Sequence, residues 1–122
     1  MTDYRDDLLE YLERRFAGDP DVFFGKMMGH PGLKLETNNK FFVFVYEDGF
    51  ALKLPPGLYE EALARSDFTP FQPGSDEKPM STWVVWSLPE PEEYEPDWDL
   101  FIHGAKHYTA SEPANTRGRR KR

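Results

Sequence analysis

The chain contains no cysteine. Disulfides, thiolate catalysis, iron–sulfur clusters and cysteine-based zinc sites are thereby excluded, and the absence fits a reducing compartment. Long apolar runs are missing too: no stretch approaches the roughly 20 residues of a membrane-spanning helix. The opening segment, MTDYRDDLLEYLERRF, is acidic and mixed, unlike the basic-then-apolar order of a signal peptide. These absences predict a cytoplasmic protein with no membrane association. Positive charge is scarce in the body of the chain. There are 15 basic and 22 acidic residues, net −7. Five of the basic ones, Arg117, Arg119, Arg120, Lys121 and Arg122, crowd into the terminal RGRRKR. Without them 10 of the 15 remain against 22 acidic, and the net charge falls from −7 to −12. The body should repel polyanions while the tail attracts them.

Aromatic residues are abundant: ten Phe, six Tyr and three Trp in 122 residues. Each buries a large apolar area, so one domain of this length can build a core without covalent staples.

Thr2 or Asp3 is placed to cap a first helix, on which Tyr4, Leu8, Leu9, Leu12 and Phe16 recur at helical spacing. Gly18-Asp19-Pro20 ends it. Val22 to Met28 reads as a strand, leading into a Gly29-His30-Pro31-Gly32 link. Leu33 to Thr37 alternates apolar and polar residues, and Asn38-Asn39 makes a hairpin turn because Asn tolerates positive φ. Phe41 to Tyr46 is apolar on both faces. Glu47-Asp48-Gly49 turns the chain into Phe50 to Leu54, where Phe50, Leu52 and Leu54 share one face. Turns this short allow only antiparallel neighbours. Pro55-Pro56 stops the strand and opens a short helix over Leu58 to Arg65. Phe68 to Phe71 reads as an edge strand because Pro70 would interrupt a central one. Gln72 to Met80 is a polar loop, and Thr82 to Leu88 is rich in aromatic and β-branched residues, as a strand should be. A last helix over about Asp97 to Tyr108 carries Trp98, Phe101, Ile102, Ala105 and Tyr108 on one side. Residues 109–122 lack apolar periodicity and read as a disordered basic tail.

The stretch GKMMGHPGLKLETNNKFFVFVYEDGFALKLPP resembles the N-terminal domain of the TfoX (Sxy) competence regulators. Lys26, Met27, Met28, Gly29, Gly32 and Leu33 fill that family's first element, Phe42 to Val45 the second, and Leu52 with Lys53 the third. Pro70-Phe71 is similar to its Pro-Phe element, and MSTWVVWSLPE to its last strand. Met28 stands where an aromatic is usual, and His30-Pro31 replaces a Gly-aromatic pair. YjbR-type domains share a similar layout and compete for the assignment. Either resemblance implies a two-layer α+β domain that is not an established enzyme. For TfoX it also implies regulation of gene expression, although the second half of those regulators has no counterpart here.

Candidate chemistry is sparse. His103 and His107 stand at i, i+4 with Asp99 one turn earlier, a spacing that can place two imidazoles on one metal. All three lie opposite the apolar side of their helix, so a solvated face is the plainer reading. His30, flanked by glycine and proline, is positioned for a general base but has no sequence-near nucleophile; a turn residue with an exposed ring is plainer. GHPG opens no helix and is not a phosphate loop. Glu90, Glu92, Glu93, Glu95, Asp97 and Asp99 lack the spacing of a calcium loop and read as an acidic linker. Lys53 points away from Leu52 and Leu54. If one sheet face is open, Lys34, Lys53 and Trp83 or Trp86 would line it, an arrangement that binds single strands in other domains. No cofactor motif is present.

The sequence therefore predicts an α+β fold. Its two layers hold an antiparallel meander sheet of five to six strands, an N-terminal helix, a short middle helix and a C-terminal helix, over residues 1–108. The expected function is a binding or regulatory module for a protein partner. An apolar second sheet face needs cover, which points to a homodimer. Nucleic-acid contact through the basic tail is the first alternative. An enzyme with a small-molecule pocket near His30 and the Gln72 to Met80 loop is the second.

Overall fold

The computed structural model describes residues 4–27, 29–71 and 82–113. Helix α1 (Asp6–Arg15) forms where the apolar residues recur every three or four positions. Leu8, Leu12 and Phe16 are buried, and Tyr11 joins them. Asp6 and Asp7 occupy its first turn and Arg14 and Arg15 its last, complementing the helix dipole. Arg5 stands at the N-cap. Its guanidinium holds the Asp7 carboxylate at 2.7 and 3.0 Å and donates to the carbonyls of Leu88 and Pro89, tying the helix start to the chain after the last strand. Thr2 and Asp3, the expected caps, lie outside the described residues.

Strands β1 (Val22–Met27), β2 (His30–Leu35), β3 (Phe41–Tyr46) and β4 (Gly49–Lys53) form the expected meander. Helix α2 (Pro56–Leu63), β5 (Phe68–Pro70) and β6 (Trp83–Trp86) follow. All pairings between these strands are antiparallel, in the order β1-β2-β3-β4-β6-β5. The meander ends at β4: β6 inserts beside it and leaves β5, with Pro70, at the far edge, where a residue without an N–H is tolerated.

Two local features differ from the pattern read in the sequence. His30, Pro31 and Gly32 belong to β2, paired with Met27, Lys26 and Gly25, so they are not a link. The turn falls at Gly29, whose φ of +84° suits a residue without Cβ. Gly32 lies directly against Phe44, and a Cβ there would collide with the Phe44 Cβ and the Val43 carbonyl. The second feature is a bulge in β3, where the register with β2 shifts between Leu33 and Lys34. Phe42 and Val43 consequently both enter the core beneath the helices, while Phe41 packs on the other face. Asn39 takes a left-handed φ of 59° in the β2–β3 turn, as its place there predicts.

After β6 the chain runs through a 3-10 turn (Pro91–Tyr94), α3 (Glu95–Trp98), a π turn (Asp99–His103) and α4 (Gly104–Ala110). These replace the single helix expected from Asp97 to Tyr108. Trp98, Phe101, Ile102, Ala105 and Thr109 are its buried side; Tyr108 is half-buried. Tyr94 is fully buried, its hydroxyl accepting from Leu88 N at 2.8 Å and donating to Trp86 O at 3.2 Å. Burial pushes its phenol up to about 12.

The helices cover one face of the sheet. Phe42, Val43, Val45, Phe50, Leu52, Leu54, Val84 and Trp86 pack there against α1 and α4 side chains. Each such side chain contributes about 1.5–3 kcal/mol by leaving water. The residues beyond 108 are not all tail: α4 continues to Ala110, Thr109 is fully buried, and Asn38 donates to the carbonyls of Thr109 (2.8 Å) and Glu112 (3.1 Å). Among the described residues no helix is long and apolar enough to cross a membrane.

Candidate functional site

The opposite face of the sheet holds a second, smaller apolar cluster. Phe44, Ala51, Phe71 and Trp83 are buried in it, with Met27, Phe41, Tyr46 and Val85 packed around them. Phe71, just past β5, sets its ring edge-on to Phe44 and Tyr46 at centroid distances of 5.6 and 4.9 Å. This face therefore carries internal cover over β3.

Beside that cluster lies an open depression of about 290 Å³ lined by Met27, Lys34, Asn39, Lys40, Phe41, Lys53 and Trp83. Two cross-strand pairs build it. Lys34 on β2 stands opposite Phe41 on β3, and Lys53 on β4 stands opposite Trp83 on β6. The first pair sets an ammonium over an aromatic ring; in the second the Lys53 ammonium goes to a carboxylate. Gly25 gives Lys34 its path: a Cβ there would meet Lys34 Cδ at 3.1 Å and Phe41 Cζ at 3.4 Å. The Lys34 ammonium lies over the Phe41 ring at 5.3 Å and the Phe23 ring at 5.7 Å, a cation–π geometry. Among the described residues it has no carboxylate partner.

Lys40 and Lys53 converge on one carboxylate oxygen. Glu112 Oε1 accepts from Lys53 Nζ at 2.7 Å and from Lys40 Nζ at 3.2 Å. Burial works against the Glu112 charge, but the hydrogen bonds from Lys53 and Lys40 outweigh it and hold the carboxyl below its ordinary 4.5. Among the described residues the depression holds three lysines and one paired carboxylate, Glu112, which leaves local positive charge on a net acidic protein. The arrangement can seat an anion against a flat apolar wall.

Of the residues singled out in the sequence, Lys34, Lys53 and Trp83 are brought together and Trp86 is not. Trp86 lies in the core under the helices, its Nε1 donating to Asp67 Oδ2 at 3.0 Å. Lys40, Phe41 and Glu112 were not foreseen. The β3 bulge hides Phe41 from a strict two-residue alternation, and Glu112 sits in a stretch read as tail.

The histidines stand apart. His30 is buried, its ring 4.9 Å from that of Tyr46 and 6.2 Å from that of Phe44, which corrects the expectation of an exposed turn residue. The Gln72 to Met80 loop proposed as its pocket partner lies outside the described residues. Asp99 lies 3.5 Å from His103 Nε2 and 3.9 Å from an Arg15 nitrogen, all exposed, and His107 is exposed as well. Among the described residues no group of three or more His, Asp or Glu is placed to hold a metal ion. Within the acidic run, Glu95 accepts from Tyr11 at 2.8 Å and Asp97 pairs with Arg65 at 3.1 Å, so these carboxylates fasten helices. Arg117, Arg119, Arg120, Lys121 and Arg122 lie outside the described residues.

Compared with models of known families, with curated proteins and with solved structures, the chain matches none.

Proposed function

We propose that the chain is a protein-binding module whose lysine-lined depression takes an acidic segment of a partner, one carboxylate-bearing residue beside an aromatic one. One observation carries the reading. The chain's own Glu112, a peptide glutamate, already sits on Lys40 and Lys53, while the neighbouring Lys34 has no carboxylate partner among the described residues. Phe41 and Trp83 supply the wall for the aromatic neighbour. Kinship with the TfoX-type N-terminal domain, and a regulatory role in the cytoplasm, belong to the same proposal. The Gly-x-x-Gly-Leu element around Gly29 and Gly32 and the cysteine-free composition support them.

The test is fluorescence anisotropy with a labelled Glu-Glu-Tyr-Glu-Glu peptide, its Gln-for-Glu counterpart and a single-stranded oligonucleotide. It is run on the whole chain and on a form lacking residues 117–122, because the basic tail attracts all polyanions. The expected result is binding of the acidic peptide by both forms, weakened by Lys34→Glu and by salt, strengthened by Glu112→Gln, and absent for the Gln peptide. Equal binding of the two peptides, or indifference to Lys34→Glu, would sink the reading. An oligonucleotide that binds more tightly and loses affinity with Lys34→Glu would transfer the site to nucleic acid. One that loses it only with the tail would assign that activity to residues 117–122.

A further inference from the structure

Strand β1 closes one side of the sheet, and among the described residues it pairs with β2 alone. An unpaired strand edge is a template for another strand, and proteins usually blunt it with proline, a bulge or short length. The opposite edge follows that rule: β5 has three residues, one of them Pro70. β1 does not. It runs six residues without proline, pairs with β2 without a register shift, and exposes large apolar rings on both faces, Phe23 at 37% and Phe24 at 43%. Phe24 lies on the helix-covered side but stays exposed beside Leu9 and Glu13 of α1. An open groove of about 340 Å³ remains there, lined by Leu9, Glu13, Phe24, Gly25, Lys26 and Pro31.

The charges of this edge are self-complementary. Lys26 is the one charged residue of β1, and Glu13 lines the same groove; among the described residues neither has an ion-pair partner. The molecule is otherwise net acidic, so most approaches of a second copy are repulsive. Here a two-fold rotation sets Lys26 of one copy toward Glu13 of the other, twice over.

We infer that β1 pairs with β1 of a second copy, antiparallel and centred on Gly25, to make one continuous sheet of two chains. In an antiparallel pair the residues opposite each other share a face, so the register keeps each side chain on its own side. Centring on Gly25 sets Phe24 opposite Lys26 on the helix side and Phe23 opposite Met27 on the far side. The Lys26 stem then covers the Phe24 ring and its ammonium reaches Glu13 of the other copy, while the Met27 sulfur meets the Phe23 ring. Gly25, at the axis, adds no side chain to the closest crossing. On the far side this contact borders the lysine-lined depression, which Met27 also lines, but Glu13, Phe24 and Lys26 lie in the other groove, so substitutions there read the dimer alone.

The experiment is sedimentation equilibrium of the whole chain over a concentration series, with far-UV circular dichroism to check folding. The wild-type mass should rise from 14.3 kDa toward twice that value. Phe24→Asp, Glu13→Lys and Lys26→Glu should each weaken association, the charge reversals by roughly ten-fold or more because each creates two like-charge contacts. Mixing the E13K chain with the K26E chain should restore association, since the opposite charges then meet between copies; restoration within one chain cannot produce that result. A wild-type chain that stays at 14.3 kDa throughout overturns the inference. So does a dimer indifferent to all three substitutions, or a mixture no stronger than its components.

Discussion

Lys53 and Glu112 meet at 2.7 Å across 59 residues of sequence, and Lys40 shares the same carboxylate oxygen at 3.2 Å. This junction fastens the end of the last helix to the end of the sheet. Its pH dependence has a definite sign. The Glu112 carboxyl is depressed in the folded protein, burial being outweighed by its hydrogen bonds from Lys53 and Lys40. Its contribution is therefore complete above the ordinary 4.5 and is lost as pH falls through the lower folded value. Protection of the backbone amides at 109–112, relative to intrinsic exchange at the same pH, should fall over that acid window in the wild type and change little in Glu112→Gln, which should already be less protected at neutral pH.

Asn38 performs the neutral half of the same fastening. Its side-chain amide is nearly inaccessible and serves the carbonyls of Thr109 and Glu112. Asn38→Ala removes the donor from two carbonyls near a buried helix end, and should cost about 1–3 kcal/mol in urea unfolding. Asn38→Asp should cost more at neutral pH, because a carboxylate would face those carbonyl oxygens.

Gly32 sits at a tight crossing in the sheet, where a Cβ would collide with Phe44 and the Val43 carbonyl. Gly32→Ala should destabilise by about 1–3 kcal/mol or more, as overpacking does. Gly25→Ala should be milder for stability, because its nearest neighbour is the flexible Lys34 stem. Its effect should appear as a shift of the Lys34 and Phe41 resonances and as weaker binding of the acidic peptide.

Asp67 serves Arg65 at 2.9 Å and Trp86 Nε1 at 3.0 Å, joining β5 to the core tryptophan. Burial raises its carboxyl, but the hydrogen bonds from Arg65 and Trp86 prevail and leave it below 3.8. Asp67→Ala strands the indole N–H of a fully buried ring. The expected outcome is a loss of about 1–3 kcal/mol and a changed tryptophan emission spectrum at neutral pH. Below the folded carboxyl value the gap between wild type and variant should narrow.

Much of this architecture was legible because its signals are local. The stripe through Leu8, Leu12 and Phe16, the turn residue Asn39, the proline start of α2 and the edge position of Pro70 each follow from one residue's stereochemistry or from a simple period. What escaped the sequence is relational. A two-residue alternation places Phe42 on the same face as Phe44, and only the pairing with β2 reveals the bulge that sends Phe42 inward and Phe41 to the lysines. His30 read as a turn because Gly and Pro flank it, yet pairing with Met27 draws it into β2 and under Tyr46. Lys34, Lys53 and Trp83 could be named in advance because alternation governs β2, β4 and β6 locally. Glu112 could not, since its partners are fixed by where a helix ends in space.

The insertion of β6 between β4 and β5 bears on how the chain is made. During synthesis from the N-terminus, Phe50, Ala51 and Leu52 emerge well before Val84, Val85 and Trp86, the residues that later flank them. Until then the hydrogen-bonding side of β4 is bare, and a nascent chain stalled before Trp83 would present a sticky ribbon of four strands to its neighbours. The protein's most exposed moment thus comes on the ribosome, and it ends when the WVVW segment slides into the slot held open for it.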